Sequence, residues 1–221
     1  MWLFKDVALL HGILYYDKLP SFETIVNAFK VAGTSSVFLL ADKYHIYQFW
    51  NKEYVQCLAE KIKNLINGKL AVEVCAGDGM LSYWLRKHRV NIVATDSGEW
   101  EIRPRNNVEI IDAVSAIKKY KPTLVIASWL PYQKEVDIQI FSQKVPYVIL
   151  IGESGEGGCC GSPKFWRTKY WKKMGYIEDW EYLSECDRWN ICRTDYCYKS
   201  YCSFTHSITV LYKRGTEYAF H

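Results

Sequence analysis

Residues 71–80 read AVEVCAGDGM, and this stretch decides the fold. An apolar, β-branched run ends at Cys75 and is followed by Gly77 and Gly79, which are separated by one aspartate. The next residues, MLSYWLRKH, carry apolar side chains at helical spacing. The pattern predicts a strand from Leu70 to Ala76, then a tight turn and a helix.

The flanking sequence repeats this alternation of strands and helices. Before the stretch, NKEYVQCLAEKIKNLING predicts an amphipathic helix that Asn51 caps and Gly68 ends. Further strands are predicted at residues 91–96, 108–112, 123–128 and 147–153, with helical or irregular segments between them. Such a pattern is typical of a parallel sheet covered by helices on both faces, which binds ligands beyond the carboxyl ends of its strands. The polar residues predicted at those ends are Asp78, Asp96, Asp112, Ser128 and Glu153.

Composition limits the classes of function. The chain has 221 residues, 49% of them hydrophobic, which suffices for one core and is short for two. No apolar run of about 18 residues occurs and the N-terminal sequence lacks a signal-peptide pattern, so we expect a cytoplasmic protein without a membrane span. In that compartment eight cysteines indicate thiols or metal ligands more than disulfides. The net charge of +4 permits an anionic partner without requiring one.

The glycine turn restricts the ligand. A dinucleotide-binding turn needs glycine at three places, so that a pyrophosphate can approach the bare backbone. The three places are Cys75, Gly77 and Met80, and only one of them is glycine. No lysine followed by serine or threonine completes a phosphate-binding loop. The sequence therefore indicates a nucleoside ligand without a pyrophosphate.

These residues resemble the motifs of class I S-adenosylmethionine-dependent methyltransferases. The first motif of that family is an acidic residue followed by glycines at every second position, and Glu73, Cys75, Gly77 and Gly79 have this spacing with cysteine at the first glycine. Asp96 matches the acidic residue that closes the second strand and holds the ribose hydroxyls. The resemblance covers roughly residues 50–155 and extends to the segment SITVLYKR, which would be the antiparallel last strand.

The resemblance implies a fold, a cofactor and a set of residues that bind it. The fold is α/β: a doubly wound, mostly parallel seven-stranded sheet within residues 51–221, preceded by an aromatic-rich cap of residues 1–50. Asp112 with Ala113 would reach the adenine amino group, and Tyr47 or Trp50 of the cap could complete the pocket. The residues expected to bind S-adenosylmethionine are Glu73, Cys75, Ala76, Gly77, Asp78, Gly79, Asp96, Asp112, Ala113, Ser128 and Trp129.

The segment SWLPY, residues 128–132, is expected at the acceptor end of the site. It is similar to the polar, proline-containing motif of the family's amino-methylating members, but it has one residue more and only one proline, so a nucleobase target is not implied. Trp129 could stack on a planar substrate or roof the cofactor, and we favour the roof. Tyr132 and Glu153 are the candidates for a general base. A small molecule or a protein side chain is the favoured acceptor.

Three alternatives remain open from the sequence. Cysteine in the first motif and the departures in SWLPY would suit a protein that binds the cofactor without turnover. The segment SPKFWRTKYWKK, residues 162–173, interleaves basic and aromatic residues as nucleic-acid-binding segments do. A packed helix is favoured, with its lysines solvated and with Phe165, Trp166, Tyr170 and Met174 facing inward. A zinc-stabilised module would need ligands from a late cluster, whose spacings lack the paired CxxC knuckles. That cluster is Cys186, Cys192, Cys197, Cys202 and His206.

No metal site is predicted for the chain. The neighbouring pair Cys159 and Cys160 lies in the segment GEGGCCGSP after the fifth strand. Its glycines favour a close backbone turn beside the substrate over a pair of reactive thiols.

Overall fold

A seven-stranded sheet forms the centre of the protein. A computed structural model describes residues 18–32, 34–100, 102, 107–132, 134–153, 160–192 and 207–215. The strands are β1 (Ala71–Val74), β2 (Ile92–Asp96), β3 (Val108–Ile110), β4 (Leu124–Ser128), β5 (Tyr147–Glu153), β6 (Tyr176–Asp179) and β7 (Ser207–Arg214). Their order is β3-β2-β1-β4-β5-β7-β6, and β7 runs antiparallel to both of its neighbours. The parallel part, β3-β2-β1-β4-β5, has the order of a Rossmann-like sheet.

The predicted fold class is confirmed, including the antiparallel last strand. β5 and β7 have the predicted bounds, because long apolar runs mark strands buried on both faces. β3 is only three residues long and lies at the sheet edge, where Ile110 is exposed. β6 lies at the other edge and had no predicted position, since its four residues form no continuous apolar run.

Helices cover both faces of the sheet. They are α1 (Phe22–Ala32), α2 (Thr34–Lys43), α3 (Lys52–Ile66), α4 (Met80–Lys87), α5 (Ala113–Tyr120), α6 (Val136–Ser142), α7 (Pro163–Arg167), α8 (Tyr170–Lys173) and α9 (Ser184–Asp187). One core contains residues of α3, α4 and α9, and the other contains residues of α5 to α8. Neighbouring strand residues alternate between these cores, as Ile126 and Val125 do in β4, because successive side chains point to opposite faces.

The helix α3 forms as predicted. Asn51 caps its start by accepting a hydrogen bond from the Tyr54 N–H at 2.8 Å. At the other end, Asn67 has left-handed backbone with φ of 45°, and Gly68 follows with φ of 77°. The apolar stripe faces the sheet and contains Tyr54, Val55, Leu58, Ala59, Ile62 and Ile66.

The described part of the cap, residues 18–50, contains α1 and α2. It forms a third apolar cluster, in which the rings of Phe29 and Phe49 meet edge to face at 5.0 Å. Ile191, from the segment after α9, is buried in the same cluster. The cap boundary at residue 50 stays a prediction. Within the described ranges no helix is long and apolar enough to span a membrane.

Candidate functional site

The turn after β1 is built from left-handed backbone. It starts at Cys75, with φ of 53°, and continues through Gly77 and Gly79, with φ of 55° and 75°. Residues other than glycine rarely adopt a positive φ, so Cys75 holds a conformation that glycine would adopt more easily. The Ala76 N–H donates to the carbonyl of Thr95 at 3.0 Å, which ties the turn to β2.

Asp96 lies directly against this turn. One of its carboxylate oxygens accepts a hydrogen bond from the Gly77 N–H at 2.9 Å, and the other accepts from the Gly98 N–H at 2.8 Å. A carboxylate has about four lone-pair positions, so capacity remains for the hydroxyls of a ligand. The two residues are 19 positions apart in sequence and meet because the carboxyl ends of parallel strands lie at one edge of the sheet.

Asp112 lies one strand further along the same edge. Its carboxylate accepts the Ser115 N–H at 3.0 Å and so caps α5, which begins at Ala113. The hydrogen bonds from Ser115 hold the pKa of Asp112 below its ordinary value. The Ile111 N–H donates to the backbone carbonyl of Asp96 at 2.8 Å, which fixes the two acidic residues beside each other.

Glu73 lies beneath the turn rather than on its surface. Its side chain is 2% exposed, and one carboxylate oxygen accepts both the N–H and the hydroxyl of Ser82 on α4. Burial raises the pKa of Glu73 to about 7, against the hydrogen bonds from Ser82, which lower it. Asp78, at the surface of the turn, accepts the Met80 N–H at 3.1 Å and so supports the start of α4.

Trp129 follows directly after Ser128, at the carboxyl end of β4. Its backbone is left-handed, with φ of 53°, and its N–H donates to the carbonyl of Ile151 at 2.8 Å. The indole Nε1–H donates to Gln48 Oε1 of the cap at 3.1 Å. The ring of Tyr47 packs on the indole, with the centroids 5.5 Å apart and an angle of 31° between the planes.

Gln48 is the site residue that the sequence did not indicate. It is 6% exposed, and its amide nitrogen donates to the carbonyl of Ile191 at 2.9 Å and to the side-chain oxygen of Asn190. Its backbone also forms an antiparallel bridge with Cys192. A single buried amide has no periodic sequence signal; only the neighbouring aromatic residues pointed to this segment.

A small cavity of about 20 Å³ lies between Leu130 of SWLPY, the end of β5 and the segment that follows it. Its wall is mostly apolar and is completed by the residues Asp137, Glu153, Cys160, Trp166 and Tyr212. The Gly161 N–H donates to the carbonyl of Leu130 at 3.1 Å, which joins the two segments. Of the two predicted general bases, Glu153 is 5% exposed at the end of β5, whereas Tyr132 is 47% exposed.

Two glycines keep this region closely packed. A Cβ added to Gly152 would lie 2.7 Å from Cys160 Sγ, and one added to Gly161 would lie 2.6 Å from a carboxylate oxygen of Asp137. Asp137 accepts hydrogen bonds from the N–H and hydroxyl of Ser162, and burial raises its pKa. Close backbone packing therefore accounts for the glycines here; the other predicted cysteine, Cys159, lies outside the described residues.

The basic and aromatic segment forms two short helices, α7 and α8. Phe165 and Trp171 are buried in the core under the sheet, and Trp166 donates from Nε1 to the carbonyl of Cys160 at 3.1 Å. Lys164 forms an ion pair with Glu135 at 3.4 Å. These contacts fit a packed segment, although it forms two helices in place of the predicted one. Of the residues predicted to face inward, Phe165 is buried, whereas Trp166, Tyr170 and Met174 are partly buried against the same core.

Cys57 of α3 and Cys186 of α9 form a disulfide, with their Cα atoms 5.5 Å apart. The expectation of thiols or metal ligands in place of disulfides is wrong for this pair. Cys192 is buried, and the other members of the late cluster, Cys197, Cys202 and His206, lie outside the described residues. No group of three or more metal-ligating side chains occurs among the residues that the structure describes.

No protein-family model matches the sequence, and no curated protein matches it. Solved structures resemble it at low identity. The CcbJ methyltransferase from Streptomyces caelestis has a TM-score of 0.46 and 10% identity, covering 74% of this chain and 96% of its own. The tRNA methyltransferase TrmK from B. subtilis has a TM-score of 0.41 and 11% identity. The match covers 73% of this chain and 65% of TrmK. Human N-acetylserotonin methyltransferase, solved in complex with SAM, has a TM-score of 0.41 and 6% identity. The match covers 97% of this chain and 67% of the human chain. Likeness of fold at this level does not define a function.

Proposed function

We propose that the protein transfers a methyl group from S-adenosylmethionine to a small molecule or a protein side chain. The observation that carries the proposal is the hydrogen bond from the Gly77 N–H to the Asp96 carboxylate. It places a glycine turn and an acidic residue together beside β1, where the strand order reverses between β1 and β4. Ligands of open α/β sheets bind at this switch point.

The residues of the turn fit this cofactor. Gly77 leaves its backbone open to a close approach, because even an added Cβ would lie only within ordinary contact of Ile102, at 3.6 Å. Asp96 would hold the ribose hydroxyls through its remaining lone pairs, and Asp112 would reach the adenine. The turn around Asp78 would lie near the methionine end, and the predicted role of Glu73 there remains part of the proposal.

Bound S-adenosylmethionine supplies a methyl group on a positively charged sulfur. The chain must then hold the acceptor atom about 3 to 3.5 Å from the methyl carbon and exclude water. SWLPY and Glu153 follow or end neighbouring strands, β4 and β5, at the carboxyl edge of the sheet, so the acceptor would lie beside them. If the acceptor atom carries a proton, Glu153, which is buried at the end of β5, is the favoured group to receive it, and Tyr132 is the alternative.

Calorimetric titration with S-adenosylmethionine and S-adenosylhomocysteine tests the cofactor. We expect wild-type protein to bind both, and Asp96→Ala to lose about 1.5 to 3 kcal/mol, the typical contribution of a hydrogen bond to a charged group. Asp96→Asn keeps an oxygen that can accept the Gly77 N–H, so the turn should stay intact. A loss of affinity in this variant would then come from lost contacts with the ligand and not from a disturbed turn. Glu60→Ala, exposed on α3, is the matched control. Unchanged affinity in Asp96→Ala would contradict the assignment.

Incubation with methyl-labelled cofactor and a fractionated extract of the source cell tests the acceptor class. Label in metabolites or protein is expected. If S-adenosylmethionine and S-adenosylhomocysteine both bind but no label is transferred, the protein is better explained as a non-catalytic binding protein. Cys75 at the first glycine position of the motif is the reason to consider this alternative. Label in RNA or DNA, lost when Lys169, Lys172 and Lys173 are neutralised together, would favour nucleic acid.

A cytoplasmic location is also part of the proposal. The Cys57–Cys186 disulfide bears directly on it, because disulfides are rare in reducing compartments. Mass spectrometry of protein whose free thiols are blocked at lysis would show whether this pair is oxidised in the cell. A fully oxidised pair would contradict an ordinary reducing compartment.

A further inference from the structure

Tyr47 and Trp129 form an aromatic wall beside the glycine turn. β4 pairs with β1, and Ala127 is the register partner of Val74. Trp129 lies two residues beyond Ala127, as Ala76 lies two residues beyond Val74. The wall therefore starts at the level of the turn, on the side of β1 opposite to Asp96 and β2.

The wall is held in one orientation by buried contacts. Gln48 Oε1 accepts the Trp129 Nε1–H at 3.1 Å, and the amide nitrogen of Gln48 is bound in turn to the carbonyl of Ile191 and to Asn190. The hydrogen bond meets the indole at its edge, in the plane of the ring, and Tyr47 packs on one face. Both rings remain partly exposed, whereas Gln48 is buried.

We propose that Tyr47 and Trp129, positioned by Gln48, face the sulfonium of the cofactor and distinguish it from the neutral thioether of the product. The inference rests on the proposed function. It follows from the position of the wall: ribose at Asp96 directs the other end of the cofactor across β1 toward β4, where the rings lie. The left-handed backbone of Trp129 is the kind of strained conformation that clusters at ligand sites.

A ring face attracts a cation through its quadrupole, and tryptophan does so most strongly. S-Adenosylmethionine carries a positive sulfur, whereas S-adenosylhomocysteine lacks the methyl group and the charge. The wall would therefore add to the affinity for the first compound and little to that for the second. Weaker retention of the product would favour its release after transfer.

The test compares the dissociation constants of the two compounds on the same preparation of each variant. In Trp129→Leu and Tyr47→Leu, we expect the preference for S-adenosylmethionine over S-adenosylhomocysteine to fall by about fivefold or more, as loss of a desolvated cation–π contact predicts. Tyr47→Phe keeps a ring and should stay within about twofold of the wild-type preference. Trp100→Leu, which removes an exposed indole after β2, is the matched control and should leave the preference unchanged.

Gln48→Met tests the positioning role, because methionine has a similar length but cannot accept the indole N–H. The preference of Gln48→Met for S-adenosylmethionine over S-adenosylhomocysteine should fall, as it does in Trp129→Leu. The double variant Gln48→Met/Trp129→Leu should lose less than the sum of the two single effects. If Gln48 had a purely structural role, Gln48→Met would lower the thermal midpoint and weaken the binding of both compounds equally. That result would overturn the inference.

The two failures can be told apart. If wild-type protein binds neither compound, the proposed function itself fails. If it binds both and the preference is unchanged in Trp129→Leu and Tyr47→Leu, only the sulfonium inference fails, and stacking of the wall on a planar acceptor would be the remaining use of these rings. Since each preference is a ratio measured on one sample, partial loss of folded protein does not change it.

Discussion

Replacing Glu73 by glutamine should remove a pH dependence of stability. The carboxyl of Glu73 is buried between β1 and α4, and burial raises its pKa from an ordinary value of 4.5 to about 7 in the folded protein. Between these two values the folded chain binds a proton that the unfolded chain has lost. The stabilising contribution is therefore complete below the lower value and is lost as the pH rises through the higher one.

The size of the effect follows from the two pKa values. A difference of one pKa unit corresponds to about 1.4 kcal/mol, so the distance between 4.5 and about 7 corresponds to about 3 kcal/mol. Glutamine keeps an oxygen for the N–H and hydroxyl of Ser82 but does not titrate. The free energy of unfolding of the wild type minus that of Glu73→Gln should thus fall by about 3 kcal/mol from pH 4.5 to pH 7.

Urea unfolding of both proteins at several pH values measures this difference, and other titrating groups cancel in it. Ser82→Ala offers a companion test: it removes a donor that lowers the pKa of Glu73, so the loss of stability should extend to higher pH. Glu60→Gln, on the exposed face of α3, should give a constant offset from the wild type. A difference for Glu73→Gln that does not vary between pH 4.5 and pH 7 would contradict a raised pKa of Glu73 in the folded protein.

Two further predictions concern cysteines. Cys186→Ser removes a disulfide that spans 129 residues and should lower the free energy of unfolding by up to about 5 kcal/mol in the chain-entropy treatment; equal urea midpoints of wild type and variant under oxidising conditions would contradict it. Cys75→Val places a β-branched residue in left-handed backbone and should cost about 1 to 3 kcal/mol, whereas Cys75→Gly should stay within about 1 kcal/mol of the wild type. Urea unfolding measures both Cys75 variants, and equal effects would contradict the left-handed conformation.

The central strands were predictable because each is a short apolar run between polar ends. Residues 147–153 form β5 with the predicted bounds, and residues 207–214 form β7. β6 was not placed because an edge strand buries only part of its residues: Tyr176 is buried, and Ile177 beside it is exposed. The basic segment after β5 forms two helices, because left-handed backbone at Lys169, with φ of 47°, interrupts it.

The site was predictable where strand order alone brings residues together. Gly77 and Asp96 meet because their strands are parallel neighbours, so the spacing in sequence sufficed. The surroundings of Glu73 were not predictable in the same way. A motif fixes its position along the strand, whereas strand alternation turns its side chain toward α4 and Ser82. Its expected contact with the cofactor stays a prediction.

Contacts between segments that are distant in sequence could not be predicted from the sequence pattern. Gln48 and Trp129 are 81 residues apart, and Cys57 and Cys186 are 129 apart. Neither contact follows from hydrophobic periodicity, because each depends on one pair of side chains after the cap and α9 have packed on α3. The disulfide was expected least, because disulfides are rare in the reducing compartment that the sequence indicates.

The two sides of the proposed site differ in what holds them, and this difference bears on how the site can change. On the β2 side, Asp96 is fixed by backbone N–H groups of Gly77 and Gly98, so the geometry there depends little on neighbouring side chains. On the β4 side, the orientation of Trp129 depends on the side chain of Gln48. Substitutions in the wall can therefore alter ligand preference while the glycine turn keeps its shape, because the side-chain contacts of the wall lie outside the backbone bonds that form the turn. A family of variants at Gln48 and Tyr47 would then differ in which ligand they prefer and agree in how Asp96 is held.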